Sequence, residues 1–309
     1  MKNVKILGYG TYLPKNKVIY NGCTRYRENE KNQIEMAEIA AKEALKKADI
    51  TVEDIDLIIF ASAVPAQLIP ATAVLLHEKM ASHRDIPAFD INSSCTSFIT
   101  ALDTVAGYIA LGEYEKVLIV SCDNASRGLN EAQKESFELF SDGAAAFVVG
   151  KTEDSQQGVT ASLQKTFSSG AHSTEIRGGG TLIPGYEFEF HPKSDYLFDM
   201  KGRDILIKTI KYLPSVFKEF KEKYGIEPKD MDFIIPHQAS KALSLMMEKL
   251  GIDKNKYSDY VDEYGNMVSV SVPFIFAKEL EEGRIKKGDN VMLCGTAAGL
   301  TVNILTLRI

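Results

Sequence analysis

The chain contains no tryptophan, and its four cysteines, Cys23, Cys95, Cys122 and Cys294, lie far apart with no C-x-x-C pair among them. That spacing indicates neither a zinc knuckle nor a disulfide framework, and it points to a reducing compartment. Positive charge is also short: 36 Lys and Arg face 42 Asp and Glu, for a formal net charge of −6. Without a basic stripe, binding along a nucleic acid is not expected. Long apolar runs are missing as well. The longest uncharged stretch, Val291–Leu307, contains Gly295, Gly299, Asn303 and three threonines. It reads as two buried strands joined by a turn, so no membrane association is expected. The opening segment MKNVKILGYGTYLP has no long apolar core, and it reads as a mature, cytoplasmic start. What is present is the composition of an ordinary folded protein: 309 residues, 45% apolar and 25% charged. Such a chain can build two cores with a cleft between them.

Strand-type runs at Val4–Gly8, Leu57–Ala61, Ala88–Ile91 and Val117–Cys122 alternate with helical patterns. One helix is marked by Ile34, Ala37, Ala41, Leu45 and Ala48, and others start near Ala71 and Ser94. This alternation predicts a mainly parallel α/β sheet. The pattern then recurs. EDIDLIIFAS, from Glu53, reads against KDMDFIIPHQ, from Lys229, and Val117 in EYEKVLIVSC reads against Val291. The two displacements along the chain are nearly equal, which implies duplicated halves packed on each other and not a solenoid. The expected division is 1–155 and 156–309. Between Thr166 and Asp199 the glycines and scattered aromatics predict a long loop with one strand. Gly8-Tyr9-Gly10 lacks a third glycine and is followed by Pro14, so a dinucleotide site is rejected. Gly178–Gly180 reads as a flexible turn.

The chemistry concentrates at strand ends. In AFDINSSCTSFITAL an apolar strand gives way to small polar residues, and Cys95 opens an apolar helix. A helix N-terminus favours the thiolate and should make Cys95 reactive near neutrality, although a free cysteine also packs well as a small hydrophobe. His237 follows the strand Phe233–Ile235, aligned by the repeat with Ala61, at the sheet edge where α/β proteins place ligands. Asn266 sits in a third such turn before a helix near Ser271, in the repeat's counterpart of the Cys95 region, and is on its own equally a turn former. Together they suit a cysteine-bound thioester facing neutral hydrogen-bond donors.

With these residues stand further motifs in a fixed order: GYGTYLP, LIPATA, DINSSCTSF, FSDGAAAFVV, PHQAS, YGN followed by VSVP, and GRIKKGD. In this order and over nearly the whole chain, the sequence resembles the thiolase-fold condensing enzymes, specifically ketoacyl-(acyl carrier protein) synthase III. The resemblance implies a five-layered αβαβα body of two βαβαβαββ halves, assembled as a homodimer. It implies that Cys95 takes an acyl group from a coenzyme A or acyl carrier protein thioester. His237 and Asn266 would then stabilise the enolate formed when a malonyl thioester loses carbon dioxide. The backbone amides of Cys95 and Ala298 would form the oxyanion hole. Substrate contacts would come from Ile69, Phe140, Ser240, Arg25 and Arg27, with no metal or other cofactor.

The departures from the family's pattern gather at the donor site. There is no tryptophan to stack on adenine, which favours carrier-linked donors over coenzyme A. Arg25 and Arg27 resemble the family's arginine-containing stretch, or form a solvated basic turn. Ser240 replaces the family's asparagine after H-Q-A, and Thr296-Ala297-Ala298-Gly299 replaces its glycine triplet. At position 69, where head-to-head condensing relatives carry a glutamate base on a loop reaching the partner subunit's site, Ile69 favours a decarboxylative reaction. The pathway expected is fatty-acid synthesis or a specialised acyl or polyketide route. The alternatives are an acyltransferase acting on an alcohol or amine, and a non-catalytic partner subunit.

Overall fold

The apolar runs form strands in the computed structural model, which describes Met1–Ile309. In chain order the first half contains β1 (Val4–Tyr12), β2 (Lys17–Tyr20), β3 (Cys23–Tyr26), α1 (Gln33–Lys47), β4 (Leu57–Phe60), α2 (Thr72–Ala81), β5 (Ala88–Asp90), α3 (Ser97–Leu111), β6 (Lys116–Asp123), α4 (Lys134–Phe137) and β7 (Gly143–Lys151). Then come β8 (Gly158–Thr166), β9 (Thr174–Glu175), β10 (Asp199–Met200), α5 (Gly202–Tyr224), β11 (Phe233–Pro236), α6 (Leu243–Lys249), α7 (Val261–Tyr264), α8 (Ser271–Glu281), β12 (Asn290–Ala297) and β13 (Thr301–Arg308).

Two sheets carry the fold, ordered β1-β7-β6-β4-β5 and β11-β12-β13-β8. The sequence repeat is visible in their register. Leu57 pairs in parallel with Val117, and the repeat-equivalent Phe233 pairs in parallel with Val291. Val117 then faces Val149 across an antiparallel pair, as Val291 faces Leu307. β5 has no regular counterpart in the second half. Its place is marked by a single parallel bridge between Ile234 and Tyr257.

Each sheet buries both faces, and three apolar clusters divide the molecule into five layers. Phe98, Leu102 and Val105 of α3, with Phe274 and Phe276 of α8, fill the space between the inner faces, represented by Ile119 and Phe147 on one sheet and Ile235 and Leu293 on the other. On the outer face of the first sheet, Ile58, Leu118 and Val148 meet α1 and α2. On the outer face of the second, Ile234, Met292 and Ile304 meet α5 and α6. Residues Ser94–Leu111 are long and apolar enough to cross a membrane by length and composition. Here they form the central helix and its leading turn, which must be apolar because sheets cover it on both sides.

The Gly8-Tyr9-Gly10 segment serves packing. A Cβ on Gly8 would lie 2.2 Å from the Ala44 carbonyl oxygen, and one on Gly10 2.3 Å from that of Ala40. The two glycines therefore let the alanine face of α1 rest directly on β1. The segment expected to hold one strand holds two, since β9 and β10 pair with each other. Each has only two residues, too short to leave a periodic signal.

Candidate active site

Three strand-to-helix turns converge at one place. After β5, Ser94 takes a left-handed conformation with φ of 53°. Its N–H donates to Asn92 Oδ1 at 2.8 Å, while Ser93 N–H donates to Ser97 Oγ at 2.9 Å. The short 3-10 turn Ser94–Thr96 presents Cys95 ahead of α3.

The second half repeats this elbow bond for bond. Val268 has φ of 55°, its N–H donates to Asn266 Oδ1 at 2.8 Å, and Met267 N–H donates to Ser271 Oγ at 2.9 Å. The side-chain amides match as well: Asn92 Nδ2 donates to Ala63 O at 2.9 Å and Asn266 Nδ2 to Ala239 O at 3.3 Å. Asn266 is thus the copy of Asn92. At the position equivalent to Cys95 stands Ser269, buried, whose N–H and Oγ both donate to Asp123 at 3.1 and 2.5 Å.

His237 emerges at the end of β11, where its N–H donates to Cys294 O at 2.8 Å. It is only 4% exposed, and its Nδ1 is buried without a partner. Burial pushes its pKa down to about 4, so the ring is neutral at physiological pH. Beneath it lies Gly295, where a Cβ would come 2.7 Å from His237 Cβ.

Cys95 is half-buried at the head of the turn. Burial, followed by the charge of Asp123, pushes its thiol up to about 12, and the backbone amides of Ala298 and Cys95 oppose this only in part. The resting group is a thiol, with two amides facing the sulfur.

Two cavities meet along a wall shared by Met200, Ile205, His237, Ala239 and Thr296. The larger, about 1190 Å³, is lined by Cys95, His237, Asn266, Phe140 and Ala298 among others. The smaller, about 440 Å³, is lined by His237, Ser240, Lys241, Cys23 and Arg25. Phe140 is held by an edge-on contact with Phe198 at 4.8 Å between ring centroids. Ser240 Oγ accepts from Ala242 N–H at 3.2 Å. Ile69 lines neither cavity and is 86% exposed.

Arg25 and Arg27 correct the reading of a solvated basic turn. They are 1% and 8% exposed, so they form no solvated turn. Arg25 donates to the carbonyls of Glu138, Thr24 and Val261 at 2.8, 2.6 and 3.0 Å. Arg27 donates to those of Phe140 and Phe137, both at 2.7 Å. Arg27 and one edge of Arg25 fasten the segment that carries Phe140, and Arg25 also lines the smaller cavity.

The sequence reading missed two buried carboxylates. Asp123 ties the Ser269 turn to the N–H of Val64, at 3.2 Å, and Asp142 accepts from Glu28 N–H and Ser126 N–H, both at 2.7 Å. An acidic residue closing an otherwise apolar strand, as Asp123 does in KVLIVSCD, was the available signal. No group of His, Cys, Asp and Glu side chains is arranged to hold a metal ion.

Comparison with known proteins gives a consistent assignment. Residues 89–167 match the family model for 3-oxoacyl-[acyl-carrier-protein (ACP)] synthase III, and residues 222–309 match the model for its C-terminal part. The beta-ketoacyl-[acyl-carrier-protein] synthase III of Clostridium perfringens is 33% identical over 97% of this chain and 98% of that protein. That of Aquifex aeolicus is 31% identical over 98% and 99%. The crystal structure of the Aquifex aeolicus 3-oxoacyl-[acyl-carrier-protein] synthase III matches with a TM-score of 0.87 at 30% identity, over 99% of this chain and 100% of that one. Xanthomonas campestris OleA, at 22% identity and a TM-score of 0.84, shares the fold. The chain belongs to the 3-oxoacyl-[acyl-carrier-protein] synthase III family, acyltransferases among the thiolase-fold condensing enzymes.

Proposed function

We propose that this enzyme condenses an acyl group with a malonyl thioester in two half-reactions at Cys95. The observation that carries the reading is the convergence of Cys95, His237 and Asn266 on one chamber, from two copies of the same elbow and one strand end. In the first half-reaction the Cys95 sulfur attacks the donor's thioester carbon, the amides of Cys95 and Ala298 hold the oxyanion, and the donor's thiol leaves. The proton lost by Cys95 ends on that departing thiol. In the second, a malonyl thioester loses carbon dioxide, and the enolate oxygen is held by His237 and Asn266. A neutral imidazole and an amide suit this role, because each stabilises the developing charge by hydrogen bonding without adding a buried charge of its own. The enolate carbon attacks the carbonyl carbon of the acyl-cysteine, the carbon–sulfur bond breaks, and the released Cys95 sulfur takes a proton from solvent to restore the thiol. The steps call for thioester substrates and no further group.

Residues 1–155 supply the nucleophile, and residues 156–309 supply His237, Asn266 and the Ala298 amide. The smaller cavity, bordered by Ser240, takes the pantetheine arm of a carrier-linked or coenzyme A thioester. The enzyme works in the cytoplasm as a homodimer, with the Ile69 loop reaching the second subunit. Intact-mass measurement with acyl thioesters, combined with carbon dioxide release from malonyl thioester, tests the reading. Cys95→Ala is expected to abolish acylation, whereas His237→Ala and Asn266→Ala acquire the acyl mass but release carbon dioxide at least a hundredfold more slowly. Failure of a folded Asn266→Ala to acylate would contradict the enolate role.

A further inference from the structure

The two elbows are copies of each other, yet they meet different partners. Each lies against the end of a strand from the other half, the Cys95 turn against β12 and the Ser269 turn against β6. With Val117 set opposite Val291, the last residues of those strands, Asp123 and Ala297, are counterparts. The Cys95 elbow therefore receives a backbone amide, that of Ala298, whereas the Ser269 elbow receives a carboxylate. Asp123 is 1% exposed and Ser269 is fully buried. Neutral donors converge on the carboxylate: Ser269 N–H and Oγ at 3.1 and 2.5 Å, Ala63 N–H at 3.4 Å and Val64 N–H at 3.2 Å. The bonds run on into both elbows. On one side Ala63 O accepts from Asn92 Nδ2 at 2.9 Å, and on the other Val268 N–H, one residue before Ser269, donates to Asn266 Oδ1 at 2.8 Å. An unbroken path of hydrogen bonds and adjoining residues, Asn92–Ala63–Asp123–Ser269–Asn266, thus joins the two elbows.

We propose that Asp123 is a positioning residue for the second half-reaction: by holding Ser269 it fixes the elbow that presents Asn266, and through Ala63 it sets that elbow's place relative to Cys95. The inference rests on the reading in which Asn266 holds the enolate oxygen. Ser269 stands where the copied elbow would carry a nucleophile, and it commits its hydroxyl proton to this lock. Donors stabilise an enolate only when they are already aimed at the oxygen, so a small displacement of Asn266 slows decarboxylation. The amides of Cys95 and Ala298, which serve acyl loading, stay in place. Asp123 bears on loading in the opposite sense, because its charge, after burial, holds the Cys95 thiol up to about 12. Removing that charge is therefore expected to help loading and to hurt decarboxylation, a split that a loss of stability alone does not produce.

The experiment follows the two half-reactions separately, with carrier-linked acetyl and octanoyl donors and a carrier-linked malonyl thioester. Loading of Cys95 is read by intact mass, and the second step by carbon dioxide release from the loaded enzyme. Ser269→Ala removes one donor and leaves the carboxylate. It is expected to load at the parent's rate but to release carbon dioxide at least about tenfold more slowly, as befits the loss of one hydrogen bond to a charged group. The fall is expected in kcat, with KM for the malonyl thioester unchanged. Asp123→Asn is expected to load at least as fast as the parent and to release carbon dioxide no faster than Ser269→Ala. The double variant should be no slower than Asp123→Asn alone, since both changes break one path. Equal slowing of both half-reactions, losses that multiply in the double variant, or normal carbon dioxide release in a folded Ser269→Ala would each overturn the positioning role. If Asp123→Asn does not fold, Ser269→Ala decides alone. No acyl mass on Cys95 from either donor, or normal carbon dioxide release in Asn266→Ala, overturns the underlying reading, and the inference with it.

Discussion

Cys95 and the two arginines show how a residue's environment decides its chemistry. Because burial holds the Cys95 thiol up to about 12, its thiolate fraction increases with pH across the whole neutral and alkaline range. Alkylation of Cys95 by iodoacetamide is therefore expected to accelerate about tenfold per pH unit between pH 6 and 10 without levelling, as measured by peptide mapping. A plateau near pH 7 would mean that the helix N-terminus prevails after all. Asp123→Asn removes the neighbouring negative charge and is expected to raise the rate at pH 8. Arg27 acts at a different level. Its truncation to alanine leaves the Phe137 and Phe140 carbonyls unpaired, at a cost of about 3 kcal/mol, which urea unfolding would register. Since Arg27 lines neither cavity, loading from coenzyme A and from carrier thioesters should slow to the same extent in Arg27→Ala. A selective loss with coenzyme A would return Arg27 to the donor site.

Among the elements, the contact of β1 with α1 is the most sensitive to a single methyl group. Gly10→Ala is expected to lower stability by about 3 kcal/mol, because the new Cβ would sit 2.3 Å from a helix carbonyl and neither element can retreat from a buried interface. Thermal unfolding measures this, and a loss below about 0.5 kcal/mol would show that α1 is free to shift. Element type and order were legible because periodicity and the repeat of Asp54 in Asp230 and of Val117 in Val291 are local properties. The repeat even carried strand register, with Leu57–Val117 matched by Phe233–Val291. The single bridge at Tyr257 that stands in for β5 was not legible, since one paired residue leaves no pattern. Neither was the burial of Arg25 and Arg27. Burial there depends on loops from distant parts of the chain closing over them, and sequence-local reasoning sees a turn with charges and calls it solvated. The site trio was legible because each member closes a strand or opens a helix, where side chains of both halves meet.

For the molecule as a whole, His237 couples the site to stability. Folded, it resists protonation down to about pH 4, whereas in the unfolded chain it titrates near 6.5. The unfolded state therefore binds the additional proton between those values, and stability falls as pH drops from 6.5 to 4, by about 3 kcal/mol in total. Above pH 6.5 the residue contributes no pH dependence. Asp123 and Asp142, raised by burial, act in the opposite sense within the carboxylate range. His237→Gln should flatten the urea midpoint between pH 6.5 and 4 relative to the parent protein. A parallel profile for the two proteins would show that the ring is solvated enough to titrate normally.

The meeting of a larger and a smaller chamber along one shared wall that includes His237 also makes the enzyme a bidentate receptor. Two fragments that each occupy one chamber compete only for the wall that both chambers share, Met200, Ile205, His237, Ala239 and Thr296. Joined by a linker just long enough to pass the ring, they bind as one molecule, with the second engagement at millimolar effective concentration and a gain of about 10²–10⁴ over either fragment. A linker shortened below that span loses the gain entirely, so a plot of affinity against linker length would measure, in solution, the distance between the two chambers.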